Sequence, residues 1–160
     1  MKLQPRLRAK KLIVFDMDGT LAATKSVVDR EMADLIGRLL DVKRVAVISG
    51  GKYALFRRQL LSQLTCSKTL LPNLFIFPTT STSFYRYRGG WKNIYRHELS
   101  VQERAMIKKA FREVLAEVGY VHPAKTYGPV IEDRKTQVTF SALGQEVVAM
   151  LGKKIISLEI

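Results

Sequence analysis

Leu12-Ile13-Val14-Phe15-Asp16-Met17-Asp18-Gly19-Thr20-Leu21 carries three signals in succession: an apolar run, two acids and a glycine turn. A short, continuous apolar run closed by a turn residue reads as a strand buried on both faces, as in parallel sheets. Side chains at i and i+2 of a strand share a face, so Asp16 and Asp18 converge while Met17 turns into the core. Two anions that close repel unless a cation or a shared proton intervenes. Carboxylate and carbonyl oxygens suit a hard divalent ion such as Mg²⁺. Gly19 permits a sharp turn, and Thr20 adds a hydroxyl and a backbone N–H beside it. The plainer reading is a strand end capped by two solvated acids; the buried strand running into Asp-x-Asp-Gly-Thr-Leu is far more specific than an isolated acid pair.

The chain has 160 residues, 47% of them apolar, enough for one domain or a core with a small insert. No apolar run approaches the roughly 18 residues of a membrane span. The basic start, Met1 to Lys11, is followed by too short an apolar stretch for a signal peptide. The lone Cys66 has no partner for an internal disulfide, in keeping with a reducing cytoplasm. Lys and Arg number 27 against 14 Asp and Glu, a net charge of +13, which favours an anionic partner such as a phosphorylated metabolite or nucleic acid. The densest basic cluster, Lys2, Arg6, Arg8, Lys10 and Lys11, reads as a solvated terminus.

Downstream, apolar residues at helical spacing predict a helix over Ser26 to Leu40, then a strand, Val45 to Ile48, ending in Ser49-Gly50-Gly51. A helix over Tyr53 to Leu64 and a strand over Leu74 to Phe77, stopped by Pro78, follow. This alternation predicts a parallel α/β sheet with right-handed crossovers, in which ligands bind beyond the carboxyl ends of the strands. Asp16 and Ser49 both fall at that edge. Ser83 to Tyr87 and Trp91 to Tyr95 flank an Arg88-Gly89-Gly90 turn and predict a hairpin. Ser100-Val101-Gln102-Glu103 is a capping box opening a helix to about Val118, with Gly119 as the stop. Val130 to Glu132 and Gln137 to Phe140 read as two more antiparallel strands, and the tail holds a short helix and a strand over Lys154 to Leu158. The expected organisation is an α/β core over 1–78, an α+β insert over 79–143 and a divergent tail over 144–160.

Ser49-Gly50-Gly51 places a hydroxyl and glycine-bared amides at a strand end, a setting that can hold phosphate oxygens. Alone it is more often a plain loop; on the strand after an Asp-x-Asp strand it gains weight. Phe15 to Leu21 and Val47 to Gly51 resemble the first two motifs of the haloacid dehalogenase-like hydrolases. The short loop after the first motif and the insert after the third strand resemble subclass IIB. Ile131 to Arg134 and Phe140 to Gln145 resemble the cap of its phosphomannomutase and sugar-phosphatase branch. That resemblance implies a partial Rossmann-like core with a cap, and a Mg²⁺-dependent phosphatase. Asp16 would be the nucleophile and a Mg²⁺ ligand. Asp18 would give its backbone carbonyl to the metal and its side chain to proton transfer. Thr20, Ser49, Gly50 and Gly51 would surround the phosphate, and Arg134 would reach the substrate from the cap.

The sequence also departs from that family. Complete members carry a Lys and then an acidic pair after the cap. Here only Gly144 to Ile160 follow, with Glu146 and Glu159 the only acids. A βαβ unit needs about 30 residues. Gln145 stands where the mutases carry a second cap Arg, which speaks against mutase activity. The expectation is a shortened member with weak metal binding, slow or absent turnover, and self-association through open sheet edges. Two other readings stand beside it: a non-catalytic binder of phosphate or a protein partner, and a nucleic-acid binder using Tyr85, Arg86, Tyr87, Arg88 and Trp91. On a hairpin such aromatics more often pack as core, so nucleic acid is the weaker reading. His97 and His122 lack partners at metal-ligand spacing.

Overall fold

The structure is a computed structural model and describes residues 9–23 and 26–151. The chain divides into two compact units, with the boundary between Arg96 and His97.

The first unit is built on β1 (Leu12–Asp16), β2 (Arg44–Ile48) and β3 (Leu74–Phe77), all parallel. Asp16 lies opposite Ile48, and Ile48 opposite Phe77, so the three carboxyl ends form one rim. β2 is buried at Val45, Ala46 and Val47, as a central apolar strand should be. Helix α1 (Arg30–Val42) buries Ala33, Ile36, Gly37 and Leu40. It starts four residues later than the periodicity predicts because Asp29 caps it: the Met32 N–H donates to Asp29 Oδ1 at 2.8 Å. Helix α2 (Tyr53–Phe56) runs into a π-helical turn over Arg57–Leu61. Phe56, Leu60, Leu74 and Ile76 are fully buried, each such side chain contributing about 1.5–3 kcal/mol.

The hairpin departs from the sequence expectation. β4 (Ser83–Tyr87) pairs antiparallel with β3, and β5 (Trp91–Arg96) with β4, giving one sheet in the order β1-β2-β3-β4-β5. The hairpin thus extends the core sheet, whereas the sequence begins the insert at Thr79. Cross-strand contacts supply the reason. Phe84 stacks on Phe77 at 4.6 Å, Arg86 lies over the Phe75 ring at 5.4 Å, and Tyr85 stacks on Tyr53 at 3.9 Å. The aromatics of the hairpin therefore have partners within the core unit.

The second unit holds α3 (Val101–Glu117), the two-stranded sheet β6 (Ile131–Asp133) and β7 (Val138–Phe140), and a short α4 (Val147–Leu151). Phe140 packs against Phe111 and the edge of Tyr120. The capping box is complete: Glu103 N–H donates to Ser100 Oγ at 3.1 Å, and Ser100 N–H to Glu103 Oε2 at 2.7 Å. The Ser100 backbone bond, then its hydroxyl, hold the Glu103 carboxyl below the usual carboxylate range. Because the folded value is lowered, this contribution is whole at neutral pH and fades as the pH falls through it. Ser100→Ala removes the hydroxyl that accepts from the Glu103 N–H and is expected to cost about 1 kcal/mol, read as a lower thermal midpoint at pH 7 that largely persists in acid because this bond does not titrate. The predicted strand over Lys154 to Leu158 and the cluster Lys2, Arg6 and Arg8 lie outside the described residues. No helix among the described residues is long and apolar enough to cross a membrane.

Candidate functional site

β1 delivers Asp16 to the rim, where it is exposed. Met17 is 1% exposed and anchors the turn from below. Its carbonyl accepts the N–H groups of Leu21 and Ala22 at 3.0 and 3.1 Å, and the Gly19 N–H donates to Ala22 O at 2.7 Å. This closed turn needs φ = +81° at Gly19, a conformation open to glycine. It sets Asp18 toward β2. The Ser49 hydroxyl, at the end of β2 and 4% exposed, donates to Asp18 Oδ2 at 3.4 Å across 31 residues of sequence.

Two sequence assignments change in detail. The Thr20 N–H faces Met17 O at 3.4 Å, within the turn, so its hydroxyl is the group it can offer. The Gly51 N–H donates to Ser49 Oγ at 3.1 Å, which makes Gly51 an orienter of Ser49 more than a phosphate donor. Ser49 is further fixed through its backbone, its N–H bonding to Phe77 O at 3.2 Å. Gly50 lies between them at the rim, where any side chain would narrow the approach to the backbone.

Thr79 to Ser81, which the sequence reading passed over, complete the rim. The Thr80 N–H donates to Ser49 O at 3.0 Å and the Thr79 N–H to Gly51 O at 2.9 Å. A Cβ on Gly50 would stand 3.9 Å from Thr80 Oγ1. The available signal was the hydroxyl-rich run Thr79-Thr80-Ser81-Thr82-Ser83 directly after Pro78.

Arg134 lies in the second unit, on the β6–β7 turn. Its Nε donates to Glu132 Oε2 at 2.7 Å and its terminal nitrogen to Gln145 Oε1 at 3.2 Å. The guanidinium is thus held by an internal ion pair, with the side chain 14% exposed. Gln145 is thus one of its partners. Beside it, the Lys108 hydrogen bond is the largest cause holding the Asp133 carboxyl below its ordinary range.

Among the described residues, no cluster of three or more His, Cys, Asp or Glu is arranged for a metal. The rim offers two carboxylates and backbone carbonyls. That set fits Mg²⁺, which takes one or two carboxylates and fills its remaining positions with water and substrate phosphate.

Solved structures share this fold. An IMP-bound, N-terminally truncated IMP-nucleotidase from Plasmodium falciparum superposes with a TM-score of 0.58 at 18% identity, covering 94% of this chain and 47% of that one. A longer form of that nucleotidase gives 0.59 at 17%, covering 80% and 34%. A phosphatase of the haloalkanoate dehalogenase superfamily from Bacteroides thetaiotaomicron gives 0.50 at 14%, covering 71% and 39%. The fold is therefore one shared with these proteins, among them a phosphatase of the haloalkanoate dehalogenase superfamily, and it is the α/β class expected from the sequence. The chain spans less than half the length of these structures. No family profile and no curated protein matches the sequence.

Proposed function

We propose that the rim of β1 and β2 is a Mg²⁺-dependent phosphatase-type site for small phosphorylated metabolites, working through an aspartyl-phosphate at Asp16. The observation that carries this reading is the contact between Asp18 Oδ2 and Ser49 Oγ, 3.4 Å apart beyond the carboxyl ends of two paired parallel strands. Asp16 attacks phosphorus, and the bond to the leaving oxygen breaks. Asp18 gives that oxygen its proton, releasing an alcohol. Asp18, now a carboxylate, takes a proton from water as the water oxygen attacks phosphorus. The bond to Asp16 then breaks and inorganic phosphate leaves. The Ser49 hydroxyl turns from Asp18 to a phosphoryl oxygen, and the Gly50 amide takes another. Mg²⁺ would be held by the Asp16 carboxylate and the Asp18 carbonyl, and when bound it neutralises charge on the phosphoryl oxygens.

Sugar phosphates are the substrate class implied by the sequence resemblance. The likeness to IMP-nucleotidase adds nucleoside monophosphates, which present the same phosphate beside a hydroxyl-bearing ring. The charge of +13 favours either anion. The aromatics of the hairpin pack edge-on against one another (Tyr87 and Trp91) and stack on Tyr53 and Phe77, which favours these substrates over nucleic acid. Self-association is supported by β1 standing at the sheet edge with Leu12 and Val14 48% and 54% exposed. The test is release of inorganic phosphate from p-nitrophenyl phosphate, hexose 6-phosphates and IMP, with Mg²⁺ and with EDTA. Mg²⁺-dependent turnover is expected; phosphate binding without turnover by the full chain selects the non-catalytic reading.

A further inference from the structure

Thr79, Thr80 and Ser81 have φ of 50°, 55° and 64°, three successive residues in the left-handed region without a glycine among them. That conformation is sterically costly for residues with a Cβ, and most of all for a β-branched one. Glycine would relieve it. Such strain persists only where the surroundings impose it, and it gathers at binding sites.

The surroundings here do impose it. Thr79 is 5% exposed. Its carbonyl and its hydroxyl each accept from Thr82 Oγ1 at 2.7 Å, and its hydroxyl lies 3.3 Å from Ser83 Oγ. Tyr95 donates its phenol to Ser81 O at 3.1 Å. The buried anchors are satisfied inside the fold, yet Thr80 and Ser81 between them are exposed. Two backbone bonds tie this loop to Ser49 and Gly51, so its tip stands on the same rim as the acid pair. The two backbone bonds place these exposed hydroxyl-bearing residues beside Ser49, in the surroundings of a phosphate bound there.

We infer that Thr80 and Ser81 form a rigid hydroxyl clamp for the hydroxyl-bearing, non-phosphate part of the ligand, and so set specificity among phosphate monoesters. This rests on the phosphate site proposed above, but it is tested by binding alone. Thr80→Val with Ser81→Ala keeps shape and removes only the two hydroxyls. The dissociation constants of glucose 6-phosphate and of inorganic phosphate are measured by calorimetry with Mg²⁺, on the full chain and on this double variant. The expected result is a rise of roughly tenfold for glucose 6-phosphate and no change for inorganic phosphate. An equal shift for both ligands, or none for either, overturns the clamp. Replacing both residues by glycine provides the second measurement: sugar-phosphate binding weakens while the thermal midpoint does not fall, and a fall would mark the loop as merely structural. Wild-type protein that binds both ligands but does not hydrolyse glucose 6-phosphate sinks the phosphatase reading and leaves the clamp standing. Wild-type protein that binds inorganic phosphate but not glucose 6-phosphate overturns the clamp alone, and binding of neither ligand sinks both.

Discussion

Asp16→Asn is expected to abolish turnover of p-nitrophenyl phosphate, lowering kcat by about 10⁴-fold or more, while the fold is kept. The amide keeps the size of the carboxylate but is a far weaker nucleophile toward phosphorus. Asp16 is exposed at the rim and lies outside the core, so the thermal midpoint should change little. Trapping the intermediate with rapid acid quench gives a second readout, with label on the wild-type chain and none on the variant. Activity that survives this substitution would remove Asp16 from the chemistry. Asp18→Asn leaves the nucleophile and removes the proton carrier, with an expected loss of about 10²–10⁴-fold in kcat. The loss should be smaller for p-nitrophenyl phosphate, whose leaving group needs little protonation, than for a sugar phosphate.

Gly144→Ala is expected to be the most damaging single substitution in the second unit. Gly144 has φ = +92°, and a Cβ there would fall 2.6 Å from the Tyr127 carbonyl carbon and 2.7 Å from Gly128 O. Both neighbours are backbone atoms, so relief needs movement of the chain itself. That chain is held by bonds from Tyr127 N–H to Leu143 O and from Glu146 N–H to Tyr127 O, at 2.8 and 2.9 Å. Clash and left-handed strain together should cost at least about 2 kcal/mol. The loss should fall on the segment over 127–146, read by hydrogen exchange, with α1 and β2 protected as in wild type. Unchanged exchange over 127–146 would contradict this packing.

Some of the fold could be read from residue pattern alone. The apolar runs at Leu12, Val45 and Leu74 and the helical spacing between them imply parallel pairing, but burial on both faces holds only for the central β2: β1 stands at the sheet edge with Leu12 and Val14 48% and 54% exposed. Asp16 could likewise be placed at the strand's end; Asp18 lies past β1, in the turn closed on Met17 O, so the turn and not the period of two sets it. The capping box at Ser100 and Glu103 is visible for a related reason, as its bonds span three residues. The hairpin was less legible. Its alternation announces β4 and β5 but not that β4 would pair with β3, which depends on Phe77, Phe75 and Tyr53 meeting Phe84, Arg86 and Tyr85 across the sheet.

What the sequence determined by itself was the class of fold and the places of Asp16 and Ser49 at their strands' carboxyl ends, because strand and helix periods and local turn chemistry reach only a few residues along the chain. Tertiary structure alone decided the 3.4 Å approach of Ser49 to Asp18, the capture of Arg134 by Glu132, and the strained Thr79–Ser81 loop beside Gly50. Each of these depends on how neighbouring strands and turns are stacked in register, and that register is a property of the packed sheet that no single segment carries.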